Sequence, residues 1–189
     1  MIVASPDVRQ AAQVMRDGGV IAYATEAVFG LGCDPQNTRA LSKLLQLKQR
    51  SPHKGLILIA ASEQQLYTYL EMAKINDLMW RRARATWPGP VTWLLPVPVS
   101  VSSLLRGEHN TLAVRVSAHP QVRELCDAFG GAIVSTSANV STQPPAKNVD
   151  DVMAQFDDQL DFILLGETSG ATRPSEIRDA ITGQVIRAG

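Results

Sequence analysis

Three cations crowd one bend of the chain. Lys48, Arg50 and Lys54 lie within LKQRSPHKG, residues 47–55. Guanidinium and ammonium groups gathered in this way suit an anion, above all a phosphate or a carboxylate. Lys48 and Arg50 are two apart, so on a continuous helix they would diverge by roughly 200°. Pro52 disfavours helical geometry at Ser51. The helix therefore breaks at about Gln49 or Arg50, and both cations can turn toward one ligand. A plainer reading stays open: basic residues complement a helix C-terminus, at ~0.3–1 kcal/mol each.

Other polar groups fall on strand faces. Side chains two apart in a strand point the same way. In VSTSAN, Ser135, Ser137 and Asn139 form one row, with Thr136 and Ala138 opposite. After the apolar start Ala132-Ile133-Val134, two hydroxyls and an amide are poor core material and good ligand donors and acceptors. The alternative is a strand that simply emerges into solvent. TLAVRV groups Thr111, Ala113 and Arg115 against a buried face of Leu112, Val114 and Val116. Arg115 either lies on a wet face or offers its fork to a carboxylate or phosphate. GVIAYAT puts Thr25 on the face of Tyr23 at a strand end, where open α/β sheets bind ligands. The glycines of FGLG, 29–32, either let backbone approach a ligand or serve turns.

The elements that must position these groups alternate along the chain. Val8 to Arg16 has helical spacing and stops at Asp17-Gly18-Gly19. Gly19 to Thr25 reads as a strand, and EAVFGLGCDP as a glycine-rich loop. Asn37 caps the helix TRALSKLLQLK. GLILIA, 55–60, is apolar on both faces and so a central strand. Ser62 should cap a short helix ending near Leu70. NDLMWRRARATW is a helix stopped by Pro88-Gly89-Pro90. VTWLLPV and TLAVRV are strands, HPQVRELCDAFG a helix, and GAIVSTSAN a strand running into the loop VSTQPP. Val149 to Phe156 is a short helix, and DFILLG, EIRDAIT and QVIRAG are late strands. This mixture predicts one α/β domain over residues 1–189, with an open, twisted, mixed sheet and flanking helices.

Composition narrows the function. The 189 residues suit one domain. Lys plus Arg and Asp plus Glu number 18 each, which argues against a globally basic nucleic-acid binder. Aromatics are only 5%, little for a base-stacking surface. Cys33 and Cys126 have no zinc-type spacing and fit a reduced, cytoplasmic chain. No secretory signal and no apolar run near the ~20 residues of a membrane span is present. Neither a Walker A loop nor GxGxxG occurs.

Taken together, YATEAVFGLGCDP, LKQRSPHKGLILIA, WPGPVTWLLP, TLAVRV, STSAN and PSEIRDAITG resemble the YrdC/TsaC family of threonylcarbamoyl-AMP synthases. The resemblance runs through essentially the whole chain and looks like the short form. Its hallmark pairs are Lys48/Arg50 and Ser137/Asn139. It implies a YrdC-like fold with a basic concave face. It implies L-threonine, bicarbonate and ATP with Mg2+ as reactants, with threonylcarbamoyl-adenylate and pyrophosphate as products. Downstream threonylcarbamoyl-transferase proteins of the TsaD, TsaB and TsaE type would then modify tRNA, itself a further partner. The resemblance assigns Lys48, Arg50 and Lys54 to the phosphates. Thr25, Arg115, Ser135 and Ser175 fall to threonine, and Thr111, Ser137, Asn139 and Arg187 to the nucleotide. The catalytic set would be Lys48, Arg50, Ser137 and Asn139, with no protein metal ligand assigned.

Three positions depart from the usual family pattern: Ala24 and Ser51 stand where relatives usually have proline, and Thr142 where they often have glycine. Longer relatives carry a histidine after the strand matching GLILIA, where this chain has Ala60-Ala61. His53, His109 and His119 are expected on the surface or in loops. The competing reading is a non-catalytic RNA-binding module, for tRNA or double-stranded RNA, whose phosphate contacts would be strongly salt-dependent.

Overall fold

The computed structural model of the chain describes residues 2–189. Ten strands form one open mixed sheet in the order β1-β8-β2-β3-β7-β4-β6-β5-β9-β10. The strands are β1 (Val3–Ser5), β2 (Ile21–Ala24), β3 (Phe29–Gly32), β4 (Ile57–Ala60), β5 (Val91–Pro96), β6 (Thr111–Val116), β7 (Ile133–Ser137), β8 (Phe162–Leu164), β9 (Glu176–Asp179) and β10 (Val185–Arg187). The helices are α1 (Val8–Arg16), α2 (Thr38–Leu47), α3 (Asp77–Arg84), α4 (Ser103–Arg106), α5 (Pro120–Phe129) and α6 (Val149–Phe156). β4 lies between β7 and β6, which is the central place its two apolar faces require.

Side-chain alternation builds two cores. Ile21 and Tyr23 of β2, Ile59 of β4 and Ile133 of β7 pack under α1 and α5. Ala22, Ala24, Leu58 and Val134 point the other way, toward Leu41 and Leu44 of α2 and Met79 and Trp80 of α3. Short polar side chains start the helices by accepting the first free N–H groups: Asp7 for α1, Asn37 for α2, Asn76 for α3 and Asn148 for α6. Gly130 ends α5 in the left-handed conformation.

Three expectations change, and one strand was not anticipated. Residues 29–32 are the strand β3, paired with β2 and β7, where a loop was expected. Gly32 has a packing reason: a Cβ there would meet the Tyr23 ring at 2.7 Å and the Val134 carbonyl oxygen at 2.7 Å. Ser62 precedes a 3-10 turn over Glu63–Tyr69 without a side-chain capping bond. The short edge strand β1 carries no alternation long enough to be read. His119 is buried rather than superficial, because its Nδ1 accepts the Val122 N–H at the start of α5.

Thr142 stands in the left-handed region at φ 78, a conformation that favours glycine. A β-branched residue is strained there. Thr142→Gly is therefore expected to stabilise the fold by about 1 kcal/mol, since the side chain is exposed and loses little packing. Urea unfolding checks this; a lower midpoint would contradict it.

Candidate functional site

The face covered by α1 and α5 at one end of the sheet is bare at the other. Ile59 faces Ile133 beneath the helices, and one step along the ladder Ile57 faces Ser135. Ala113 adjoins Ile57, and Leu94 adjoins Ala113. These residues floor a cavity of about 990 Å3. Thr25 and Glu26 from the end of β2, the bend after α2, the segment at 168–175 and the last strand β10 wall it.

The cavity is strongly positive although the chain as a whole is neutral. Arg50, Lys54, Arg106, Arg115, Lys147, Arg173 and Arg187 line it, against Glu26 as the single carboxylate in the lining. Burial pushes the Arg50 guanidinium below its usual range, and Arg187 adds to this. Burial and then Arg115 do the same to Arg187. Like charges held this close and partly desolvated make a site waiting for anions. Two of them have free donors: Arg50 Nε and Arg115 Nε are buried without a partner.

The bend works differently from a simple convergence of two cations. α2 ends at Leu47, Lys48 caps it, and Gln49 turns through φ 48. Arg50 then enters the cavity wall, with its Nη2 donating to the Gly55 carbonyl at 3.0 Å. Lys48 turns the other way. It is 2% exposed, and its Nζ donates to the Ser137 carbonyl, to the Asn139 carbonyl at 2.9 Å and to Asn139 Oδ1 at 3.3 Å. Ser141 completes the knot by donating its N–H and its hydroxyl to the Lys48 carbonyl. Burial, then Arg50, pushes the Lys48 ammonium down to about 8. The Lys48/Arg50 and Ser137/Asn139 pairs thus meet in space, but Lys48 and Asn139 stand outside the cavity lining.

The remaining predicted residues all line the cavity: Thr25, Lys54, Thr111, Arg115, Ser135, Ser137, Ser175 and Arg187. Thr25 Oγ1 donates to the Val28 carbonyl at 2.7 Å. Arg187 Nη2 donates to the Ser175 carbonyl at 2.7 Å, which ties the last strand to the approach to β9. Ser175 also meets Thr92 at 3.3 Å.

Sequence reasoning missed Glu26, Arg106, His109, Lys147 and Arg173. Glu26 follows Thr25 directly, and its signal was a carboxylate one residue past a strand end. Arg106, His109, Lys147 and Arg173 lie in or beside short irregular segments whose approach to the cavity no periodicity announces. Among the described residues, no group of three or more His, Cys, Asp and Glu is placed to hold a metal, and no helix is long and apolar enough to cross a membrane.

Comparison with known proteins agrees with this architecture. The chain is 51% identical to the threonylcarbamoyl-AMP synthase of Photobacterium profundum over 183 residues, covering 97% of this chain and 99% of that protein. It is 49% identical to the protein of the same name from Cellvibrio japonicus, covering 97% and 96%. Among solved structures, P. abyssi Sua5 complexed with L-threonine matches with a TM-score of 0.86 and 28% identity, over 95% of this chain and 54% of that one. This chain therefore spans about half of the Sua5 chain. E. coli YciO shares the fold, with a TM-score of 0.84 at 24% identity over 100% of this chain and 95% of that one. The Sua5/YciO/YrdC family model, described as telomere recombination, matches residues 13–189. With an open sheet, a cation-lined bare face and a match over nearly its whole length, this chain belongs to the Sua5/YciO/YrdC family.

Proposed function

We propose that the protein is a threonylcarbamoyl-AMP synthase. It joins L-threonine, bicarbonate and ATP to give threonylcarbamoyl-adenylate, pyrophosphate and water. The observation that carries the reading is the near full-length similarity, at about half identity, to proteins bearing that name. The cavity supports it physically. A threonine carbamate and ATP are both anions, and bringing them together needs fixed cations more than a strong base.

In this reading Arg50, Lys54 and Arg187 take the ATP phosphates. A carbamate oxygen attacks the α-phosphorus, and the same cations balance the charge that develops on leaving pyrophosphate. Positioning and electrostatics carry most of such a transfer. Arg115 takes the threonine carboxylate, with Thr25, Ser135 and Ser175 around the rest of the amino acid. Thr111 and Ser137 lie along the nucleotide. Lys48 and Asn139 act from behind the wall, fixing the end of β7 and the start of the Arg50 bend. Mg2+ would arrive on the phosphates, because Glu26, the carboxylate in the lining, is already engaged by Arg115 and Ser117. The adenylate then passes to transferase proteins of the TsaD, TsaB and TsaE type for modification of the adenosine beside the anticodon of tRNAs reading codons that begin with A.

Purified protein with ATP, Mg2+ and bicarbonate should release pyrophosphate only when L-threonine is added. Folded protein that releases none overturns the reading. Salt-sensitive RNA retention without any adenylate would favour the RNA-binding alternative instead.

A further inference from the structure

Glu26 is the single carboxylate lining a cavity that carries seven cations. Its side chain is well buried, at 14% exposure, and so is that of Arg115, at 8%. Glu26 Oε2 accepts from Arg115 Nη1 at 2.9 Å, and Oε1 accepts from the Ser117 hydroxyl at 2.7 Å. Both carboxylate oxygens are therefore engaged by β6 and the residue just after it. Arg115 is held through one end of its fork. Its Nε, on the opposite edge, is buried with no partner.

Ser117 and Glu26 also reach beyond this pair. Ser117 Oγ accepts the His119 N–H at 3.0 Å, and His119 Nε2 lies 3.0 Å from the Glu167 carbonyl. The Glu26 carbonyl accepts the Ala171 N–H at 3.0 Å, while the Thr25 carbonyl accepts that of Ser169 at 3.3 Å. Glu26 thus joins Arg115 on the sheet to the segment that runs across the cavity from β8 to β9.

We propose that Glu26 is a positioning residue for the amino-acid substrate: it fixes Arg115 so that the side of its guanidinium not held by Glu26 is presented to the substrate carboxylate. This rests on the synthase reading for the identity of that substrate. A free arginine has several rotamers, and a fork offers two parallel hydrogen bonds only in one plane. Two anchors on Glu26 and one on Arg115 select that plane before the ligand arrives, which lowers the ordering cost of binding. Glu26 also matches one of the seven charges, so Arg115 can stay buried without a ligand. Burial alone would raise the Glu26 carboxyl, but Arg115 and Ser117 outweigh it and hold the group below its usual range, so it stays ionised near neutral pH.

The test is calorimetric binding of L-threonine and, separately, of ATP to the full chain. Glu26→Gln should weaken threonine tenfold or more and leave ATP within twofold. In an Arg115→Gln background, Glu26→Gln should add almost nothing, because the residue acts through Arg115. Additive losses would overturn the proposal, as would an equal loss of ATP affinity or unchanged threonine binding. If Glu26→Gln fails to fold, Ser117→Ala removes one of the two anchors and should weaken threonine about threefold, again sparing ATP; no change would overturn it. Wild-type protein that binds threonine without releasing pyrophosphate would sink the synthase reading alone. Wild-type protein that binds no threonine would sink both.

Discussion

Replacing Arg50 by methionine is expected to lower kcat/KM for ATP by about 10²–10³ while leaving the melting temperature unchanged or raised. The two effects share a cause. Arg50 is partly buried with Arg187 nearby, and the guanidinium is held below its usual range as a result. Its Nε has no partner, and its Nη2 donates to the Gly55 carbonyl. In the ligand-free protein this cation is a liability, since repulsion and desolvation both oppose it. On the proposed reading, the phosphates of bound ATP would supply a partner and the same group would stabilise the charge that builds on pyrophosphate. Methionine keeps the apolar stem and removes the repulsion. Steady-state kinetics with ATP varied, alongside a thermal melt, give both numbers. A variant that melts many degrees lower would mean that Arg50 is a structural tie. A variant with full activity would remove it from the phosphate site.

Much of this arrangement was legible in the sequence, for identifiable reasons. The period-2 pattern of TLAVRV placed Arg115 opposite Leu112, Val114 and Val116, and the structure keeps that division. Pro52 signalled a break after α2, although the helix ends two residues early and Gln49 makes the turn in the left-handed region. Ser135 and Ser137 share the bare face, as strand parity requires, because no helix covers the sheet there. Parity does not extend to Asn139, which lies past the end of β7 and bonds back to Lys48. FGLG was read as a loop because its two glycines lower strand propensity. The Tyr23 ring that packs over Gly32 is a neighbour on another strand, which no local pattern reveals. Glu26 and the burial of His119 were missed for the same reason: their importance comes from partners 48 to 91 positions away.

Lys48→Met should separate from Arg50→Met by harming stability as well as activity. Lys48 Nζ serves three acceptors at the end of β7; methionine removes all three bonds, leaving the Asn139 carbonyl without its donor, the Ser137 carbonyl with the Asn139 N–H alone and Asn139 Oδ1 with the Ser137 hydroxyl alone. The expected cost is about 2 kcal/mol near neutral pH, with activity down about 100-fold as the Arg50 bend loosens. The cost also depends on pH. The native ammonium is pushed down to about 8, whereas the unfolded chain holds its proton to about 10.5. Between those values the unfolded state binds more protons, so wild-type stability gains with rising pH relative to the variant, by up to about 1.4 kcal/mol per pH unit. Below pH 8 both states of Lys48 are charged and the gap between wild type and variant is flat. Urea midpoints for both proteins at pH 7, 8, 9 and 10 measure the gap directly. A gap that stays constant to pH 10 would mean that the three acceptors keep Lys48 charged throughout. A gap near zero at every pH would mean that the knot does not hold the bend, and would return Lys48 to a direct role on the phosphates.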